Sequence, residues 1–224
     1  MTRRLVLATR NQAKLAELRR ILADAGLDVE LVGADEFPDL PEVAETATTF
    51  AANALLKARA AAAHTGLPAI ADDSGLCVDA LSGMPGILSA RWAGRHGDDE
   101  ANLQLVLAQL AEVPDERRGA HFFCAAAVVL PDWRHRGAGP DGPVERGAER
   151  VVEGQIDGVL VREPRGSGGF GYDPIFLPYG SSLTTAELDP DAKDAISHRG
   201  QAFRALVPVL AAMLGTSADA DRAP

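Results

Sequence analysis

Apolar positions along this chain follow two rhythms that interleave. Leu5 to Ala8 is a short unbroken apolar run, the pattern of a buried strand, and behind it Leu15, Leu18, Ile21 and Leu22 recur at helical spacing up to Gly26. Val29 to Val32 predicts a second strand, Pro38 and Pro41 mark a loop, and Thr48 to Ala63 reads as an alanine-rich helix stopped at Gly66. Pro68-Ala69-Ile70-Ala71 predicts a buried strand ending in the polar Asp72-Asp73-Ser74-Gly75. Gly83 to Gly97 is a glycine-punctuated loop, Asp99 to Leu110 a helix, His121 to Leu130 a central strand and Val151 to Val161 another long strand. Between those strands Pro131 to Arg150 has no apolar rhythm and predicts a surface loop or hairpin tip. Ser197 caps a last helix through Leu214, and Thr216 to Pro224 reads as a frayed tail. Helices interleaved with strands predict an α/β fold, and two long strands in succession make part of the sheet antiparallel. The expectation is a mixed β-sheet flanked by helices, in one domain over residues 1–214 with a flexible tail at 215–224, and no internal repeat.

Composition narrows the class. The 224 residues are 46% hydrophobic and 24% charged, which excludes a disordered, collagenous or coiled-coil chain. No run approaches the roughly 18 apolar residues of a membrane helix, and Leu5 to Ala8 is too short for the apolar core of a signal peptide, so a cytoplasmic protein is expected. A net charge of −10 argues against a sequence-independent hold on nucleic acid, which needs lysines and arginines on phosphates. Cys77 and Cys124 both lie in apolar surroundings and read as small buried hydrophobes. Of the 22 basic residues only Lys14, Lys57 and Lys193 are lysine, so each invites an explanation.

All three lysines fall in segments suited to chemistry. Thr9-Arg10-Asn11-Gln12-Ala13-Lys14 joins a strand end to a helix start: Asn11 can cap the helix, the exposed amides suit phosphate, and Thr9 and Lys14 can add a hydroxyl and an ammonium. The bland alternative is an ordinary N-cap with a solvated lysine. Asn53 and Lys57 share a helix face, and with Glu45 they could bracket a metal-phosphate group, or be a helix-start acid and an exposed lysine. Asp72-Asp73-Ser74-Gly75 places a carboxylate pair at the end of a strand, where α/β proteins bind ligands, and Asp73 with Glu45 would suit Mg²⁺; a polar turn is the alternative. Gly166-Ser167-Gly168-Gly169-Phe170-Gly171-Tyr172-Asp173-Pro174 formally contains a dinucleotide fingerprint, but Pro174 holds Asp173 extended and no helix opens there. What remains is a glycine loop presenting Phe170 and Tyr172, one of which could stack on a base, or a hairpin loop with two half-buried aromatics. Lys193 and Ser197-His198-Arg199-Gly200 offer donors to a carbonyl-bearing ligand or a phosphate. No metal-spaced histidine pair and no serine-hydrolase elbow is present.

Taken together, Thr9-x-Asn11-x-x-Lys14, Glu45-Thr46, Phe50-x-x-Asn53-x-x-x-Lys57-Ala58, Ala71-Asp72-Asp73-Ser74-Gly75-Leu76, Pro85-Gly86-Ile87-x-Ser89-Ala90-Arg91, Gly168 to Phe176 and Ser197-His198-Arg199-Gly200 occur in the order seen in the inosine triphosphate pyrophosphatase family, which the chain resembles over residues 4–212. The resemblance implies an elongated α/β fold with a long mixed sheet, two lobes around a nucleotide cleft and a homodimer. It implies hydrolysis of deaminated purine triphosphates (dITP, ITP, XTP) to the monophosphate and pyrophosphate with Mg²⁺. On that pattern Thr9 to Lys14 hold the triphosphate, and Asp73 is the proton acceptor and, with Glu45, a metal ligand. Ser74, Phe170, Gly171, Tyr172, Asp173, Lys193, His198 and Arg199 bind the substrate, the aromatic loop and His198-Arg199 lying around the base. Two departures stand out. Arg10 replaces the family's usual glycine, and the Pro131 to Arg150 segment is longer than expected. The competing readings are a sensor that binds such nucleotides without turnover, and a pyrophosphatase for other modified nucleotides.

Overall fold

The computed structural model describes residues 3–131 and 148–215. Most of the arginine-rich segment and the segment read as a tail, from Thr216 on, lie outside the described residues. In chain order the elements are β1 (Arg3–Leu7), α1 (Gln12–Asp24), β2 (Val29–Gly33), α2 (Phe50–Thr65), β3 (Ala69–Val78), β4 (Met84–Pro85), α3 (Asp99–Gln109), β5 (Gly119–Val129), β6 (Glu149–Leu160), β7 (Phe176–Pro178), α4 (Pro190–Ile196) and α5 (His198–Leu214). One sheet runs in the order β2-β1-β3-β5-β6-β7, with β4 on β3. β1 pairs in parallel with β2 (Leu5 opposite Leu31) and β3 (Val6 opposite Ala69), while β3–β4 and β6–β7 are antiparallel. Leu130 N donates to Ala148 O, and Leu160 N to Arg118 O, so β5 and β6 also run antiparallel. The sheet is mixed, as the order of apolar runs predicted.

Contacts gather into two compact units. The first comprises the described parts of Met1–Asp73, Ala125–Val152 and Ala202–Pro224. Leu5, Val6 and Leu7 are fully buried there, and α1 turns Leu15, Leu18, Ile21 and Leu22 inward, the predicted apolar stripe. Small side chains form the buried face of α2 (Ala54, Ala58, Ala61, Ala62), which lets the helix lie close to β1. Thr49 caps α2 by accepting from Ala52 N, and Gly66 ends it at φ 66°, a conformation that costs glycine nothing.

The second unit, Ser74–Cys124 with Glu153–Gln201, has its own core of Leu76, Val78, Leu103, Val106, Leu110, Phe122, Ile175 and Phe176. Arg118 is buried and donates to three backbone carbonyls, those of Leu160, Leu110 and Val161, at 2.7–3.1 Å. Ser89 ties a turn to β3: its Oγ accepts from Leu76 N at 2.9 Å and donates to Gly86 O at 2.6 Å. A Cβ at Gly75 would run into the Gly86 carbonyl oxygen and Ser89 Oγ, both held by this bonding. Gly75→Ala is therefore expected to cost about 2 kcal/mol of stability, the usual price of forcing an atom into a packed site. Chemical denaturation checks it, and an unchanged midpoint would mean that the turn yields freely.

Two features differ from the sequence expectation. The strand expected to stop at Ala71 continues to Val78, so Asp72, Asp73 and Ser74 lie within β3 rather than in a turn beyond it. The polar interruption masked a second buried run, Leu76-Cys77-Val78. The short elements β4, β7 and α4 were not foreseen, although Asp189 followed by Pro190 is a cap-and-first-turn pair that marks α4 in hindsight.

Candidate active site

At the start of α1 side chains cap the backbone donors of the helix. Asn11 is the N-cap, its Oδ1 accepting from Ala13 N at 2.9 Å and Lys14 N at 3.3 Å, while Thr9 Oγ1 accepts from Asn11 N at 3.1 Å. No acidic residue occupies the first turn, which leaves the positive end of the helix uncancelled. Lys14 Nζ lies 2.7 Å from Asp72 Oδ2, and Gln12 reaches Asp35 at 2.6 Å. Arg10 is not at positive φ, so replacing the family's glycine strains nothing; its guanidinium points to Glu42 and the Leu40 carbonyl, each at 3.4 Å.

Alternation along β3 sends adjacent carboxylates different ways. Asp72 meets Lys14 of α1, whereas Asp73 meets α2: Asn53 Nδ2 donates to Asp73 Oδ2 at 3.1 Å, and Lys57 Nζ lies 3.1 Å from Asp73 Oδ1. The same ammonium is 3.1 Å from Glu45 Oε1. Asn53 is fully buried, and its Oδ1 accepts from Ala47 N at 3.0 Å, tying the Glu45 loop to the carboxylate. Burial pushes the Asp73 carboxyl above the ordinary range; Lys57 opposes this and Glu45 adds to it. Burial pulls the Lys57 ammonium down, but Asp73, Asp72 and Glu45 outweigh it and hold it above its ordinary value. Both groups retain protons more tightly, but for different reasons: burial dominates at Asp73, and the surrounding carboxylates dominate at Lys57. Among the described residues no three His, Cys, Asp or Glu side chains group to hold a metal. Glu45 and Asp73 nevertheless converge on one cation and present hard oxygens, a donor set that fits an ion taking its remaining ligands from phosphate and water.

In the second unit Asp173 organises the glycine loop. Its Oδ2 accepts from Phe170 N at 2.8 Å and faces Lys193 Nζ at 2.5 Å, and its Oδ1 accepts from Thr185 Oγ1 at 2.8 Å. Gly169, at φ 72°, leaves room for this pair, since a Cβ would strike Asp173 Oδ2. Phe170 is 54% exposed, with Lys193 Nζ 5.3 Å and the Arg199 guanidinium 5.7 Å from its ring centroid. The expectation that Tyr172 is presented with it is corrected. Its ring sits in the core and its hydroxyl donates to Ser89 O at 2.9 Å, so Phe170 is the exposed aromatic of the loop. His198 stacks on Phe122, ring centroids 4.9 Å apart and planes 10° from parallel. Ser197 caps α5 as expected, its Oγ accepting from Gly200 N at 2.9 Å, and Ser74 is half-buried in β3. Asp99, read only as the start of a helix, accepts from Gly171 N at 2.9 Å, a contact that no local sequence signal marks.

The Ham1 family model matches residues 5–209. The dITP/XTP pyrophosphatase of Streptomyces coelicolor is 63% identical over 212 residues, covering 95% of this chain and 99% of that one. Its counterpart in Mycobacterium tuberculosis is 54% identical over 208 residues, covering 92% and 95%. Among solved structures, a HAM1 protein from Coxiella burnetii superposes with a TM-score of 0.81 at 43% identity, covering 94% of this chain and all of that one. A dITP/XTP pyrophosphatase from Mycobacterium abscessus gives 0.73 at 53% identity, with 92% and 99% covered.

Proposed function

The chain belongs to the Ham1 family, and on that premise we propose that it hydrolyses dITP, ITP, XTP and dXTP to the monophosphate and pyrophosphate, removing deaminated purines from the nucleotide pool. The carrying observation is the buried arrangement of Asp73 with Glu45, Asn53 and Lys57, which a pure binding protein would not need. Asp73 accepts the proton of a water whose oxygen bonds to the α-phosphorus as the bond from that phosphorus to the bridging oxygen breaks and pyrophosphate leaves. A carboxylate held above its ordinary pKa is the stronger base, and Asn53 fixes its direction. Glu45 and Asp73 would hold Mg²⁺, which when bound screens the negative charge of the phosphates. Thr9 to Lys14 would take the triphosphate at the N-terminus of α1, where the helix dipole and the Lys14 ammonium favour an anion, and Lys57 adds a second ammonium.

At the base end Phe170 offers a stacking face, and Ser74, Gly171, Tyr172, Asp173 and Lys193 complete the binding set, Tyr172 through its backbone and Asp173 by holding the loop and Lys193. His198 and Arg199 would donate to the carbonyl at purine position 6, and adenine's amino group would leave those donors unpaired. His198→Ala and Arg199→Ala are expected to lower the dITP-to-dATP ratio of kcat/KM by at least ~10-fold while changing pyrophosphate affinity little; an unchanged ratio in both would defeat the assignment. Residues 1–214 would act as one catalytic domain, working in the cytoplasm as a homodimer without nucleic acid; no helix among the described residues is long and apolar enough to cross a membrane. Pyrophosphate release from dITP, XTP, dGTP and dATP with Mg²⁺ tests the reading. Turnover of dITP and XTP well above dATP supports it, whereas tight dITP binding without turnover makes the protein a sensor.

A further inference from the structure

Lys57 occupies the place of a cation. Its Nζ is 3.1 Å from Glu45 Oε1 and 3.1 Å from Asp73 Oδ1, and its side chain is only 19% exposed. Asn53 donates to the other oxygen of Asp73 at 3.1 Å, which orients this carboxylate with its first oxygen toward Lys57. Glu45 and Asp73 are also the two groups assigned above to the metal. A divalent ion drawn to them meets the ammonium at contact distance, in a half-buried setting where like charges repel strongly.

We infer that Lys57 is the resident counter-ion of the metal position: it neutralises Glu45 and Asp73 in the nucleotide-free protein and transfers to the triphosphate when metal and nucleotide bind together. The inference rests on the assignment of the metal to these carboxylates. A lysine suits the exchange, because its flexible four-carbon stem carries three donors that can be re-aimed without losing charge. Metal alone must expel the ammonium from two carboxylates with no phosphate to receive it, and so binds weakly. A triphosphate receives it, so nucleotide and metal assist each other by the same factor.

Calorimetric titration of Mn²⁺ into the nucleotide-free protein reads this directly. Lys57→Met and Lys57→Gln are expected to bind Mn²⁺ at least ~10-fold more tightly than wild type, since one positive charge has left the site. Lys57→Gln retains amide donors toward the carboxylates and keeps the test available should Lys57→Met fold poorly, which circular dichroism decides. Adding Glu45→Gln to either variant is expected to weaken Mn²⁺ binding again. Affinity in both Lys57 variants no higher than in wild type, with binding still lost on Glu45→Gln, overturns the counter-ion role alone. Mn²⁺ binding indifferent to Glu45→Gln overturns the metal assignment and the inference with it.

Discussion

Asp73→Asn is expected to bind dITP and leave it intact, with kcat reduced by about 10³-fold, the range for losing a positioned general base. The substitution keeps the shape of the side chain, and the asparagine oxygen can still accept from Asn53 Nδ2, the bond now present at 3.1 Å. Folding should not suffer, because the cluster already holds excess negative charge and loses one unit of it; a melting temperature equal to or slightly above wild type is expected. Asp73 also serves as a metal ligand in this reading, so Glu45→Gln is the control that separates the two roles. Saturating Mg²⁺ should restore most of the activity of Glu45→Gln and little of that of Asp73→Asn. Turnover by Asp73→Asn within tenfold of wild type would remove Asp73 from the role of base.

Much of this site was legible because its local signals are covalent neighbours. Asn11 before an apolar stripe marks a cap, and Asn53 with Lys57 at four-residue spacing marks a helix face; both occur as read. The lysine census carried more than expected, since Lys14, Lys57 and Lys193 pair with Asp72, Asp73 and Asp173 respectively. What sequence could not give were the partners across the fold. Sequence singles out Asp73 with Glu45, but the partner of Asp72 is not legible there, and the continued pairing of β3 sends one carboxylate toward α1 and the other toward α2. Phe170 and Tyr172 looked alike, two residues apart around a glycine, until Ser89 and the second core claimed the tyrosine. Arg10 looked like a departure with a backbone cost, and its φ shows none.

The Lys14–Asp72 pair yields the second large effect, and the one best able to part structure from function. Asp72 has 2% of its side chain exposed and faces Lys14 at 2.7 Å. Lys14→Met removes the ammonium that faces this buried carboxylate, and removing one partner of a buried pair typically costs about 3 kcal/mol or more. Loss of that order in urea denaturation is expected, together with an increase in KM for dITP of at least ~10-fold, because a lysine at the α1 terminus is lost to the triphosphate. Adding Asp72→Asn removes the buried charge that Lys14 had faced and should recover most of the stability. It should not recover KM, since no ammonium returns. Stability and KM that recover together would make Lys14 a purely structural partner of Asp72, and stability that fails to recover would mean that the cost of Lys14→Met lies in packing of the lysine stem rather than in its charge.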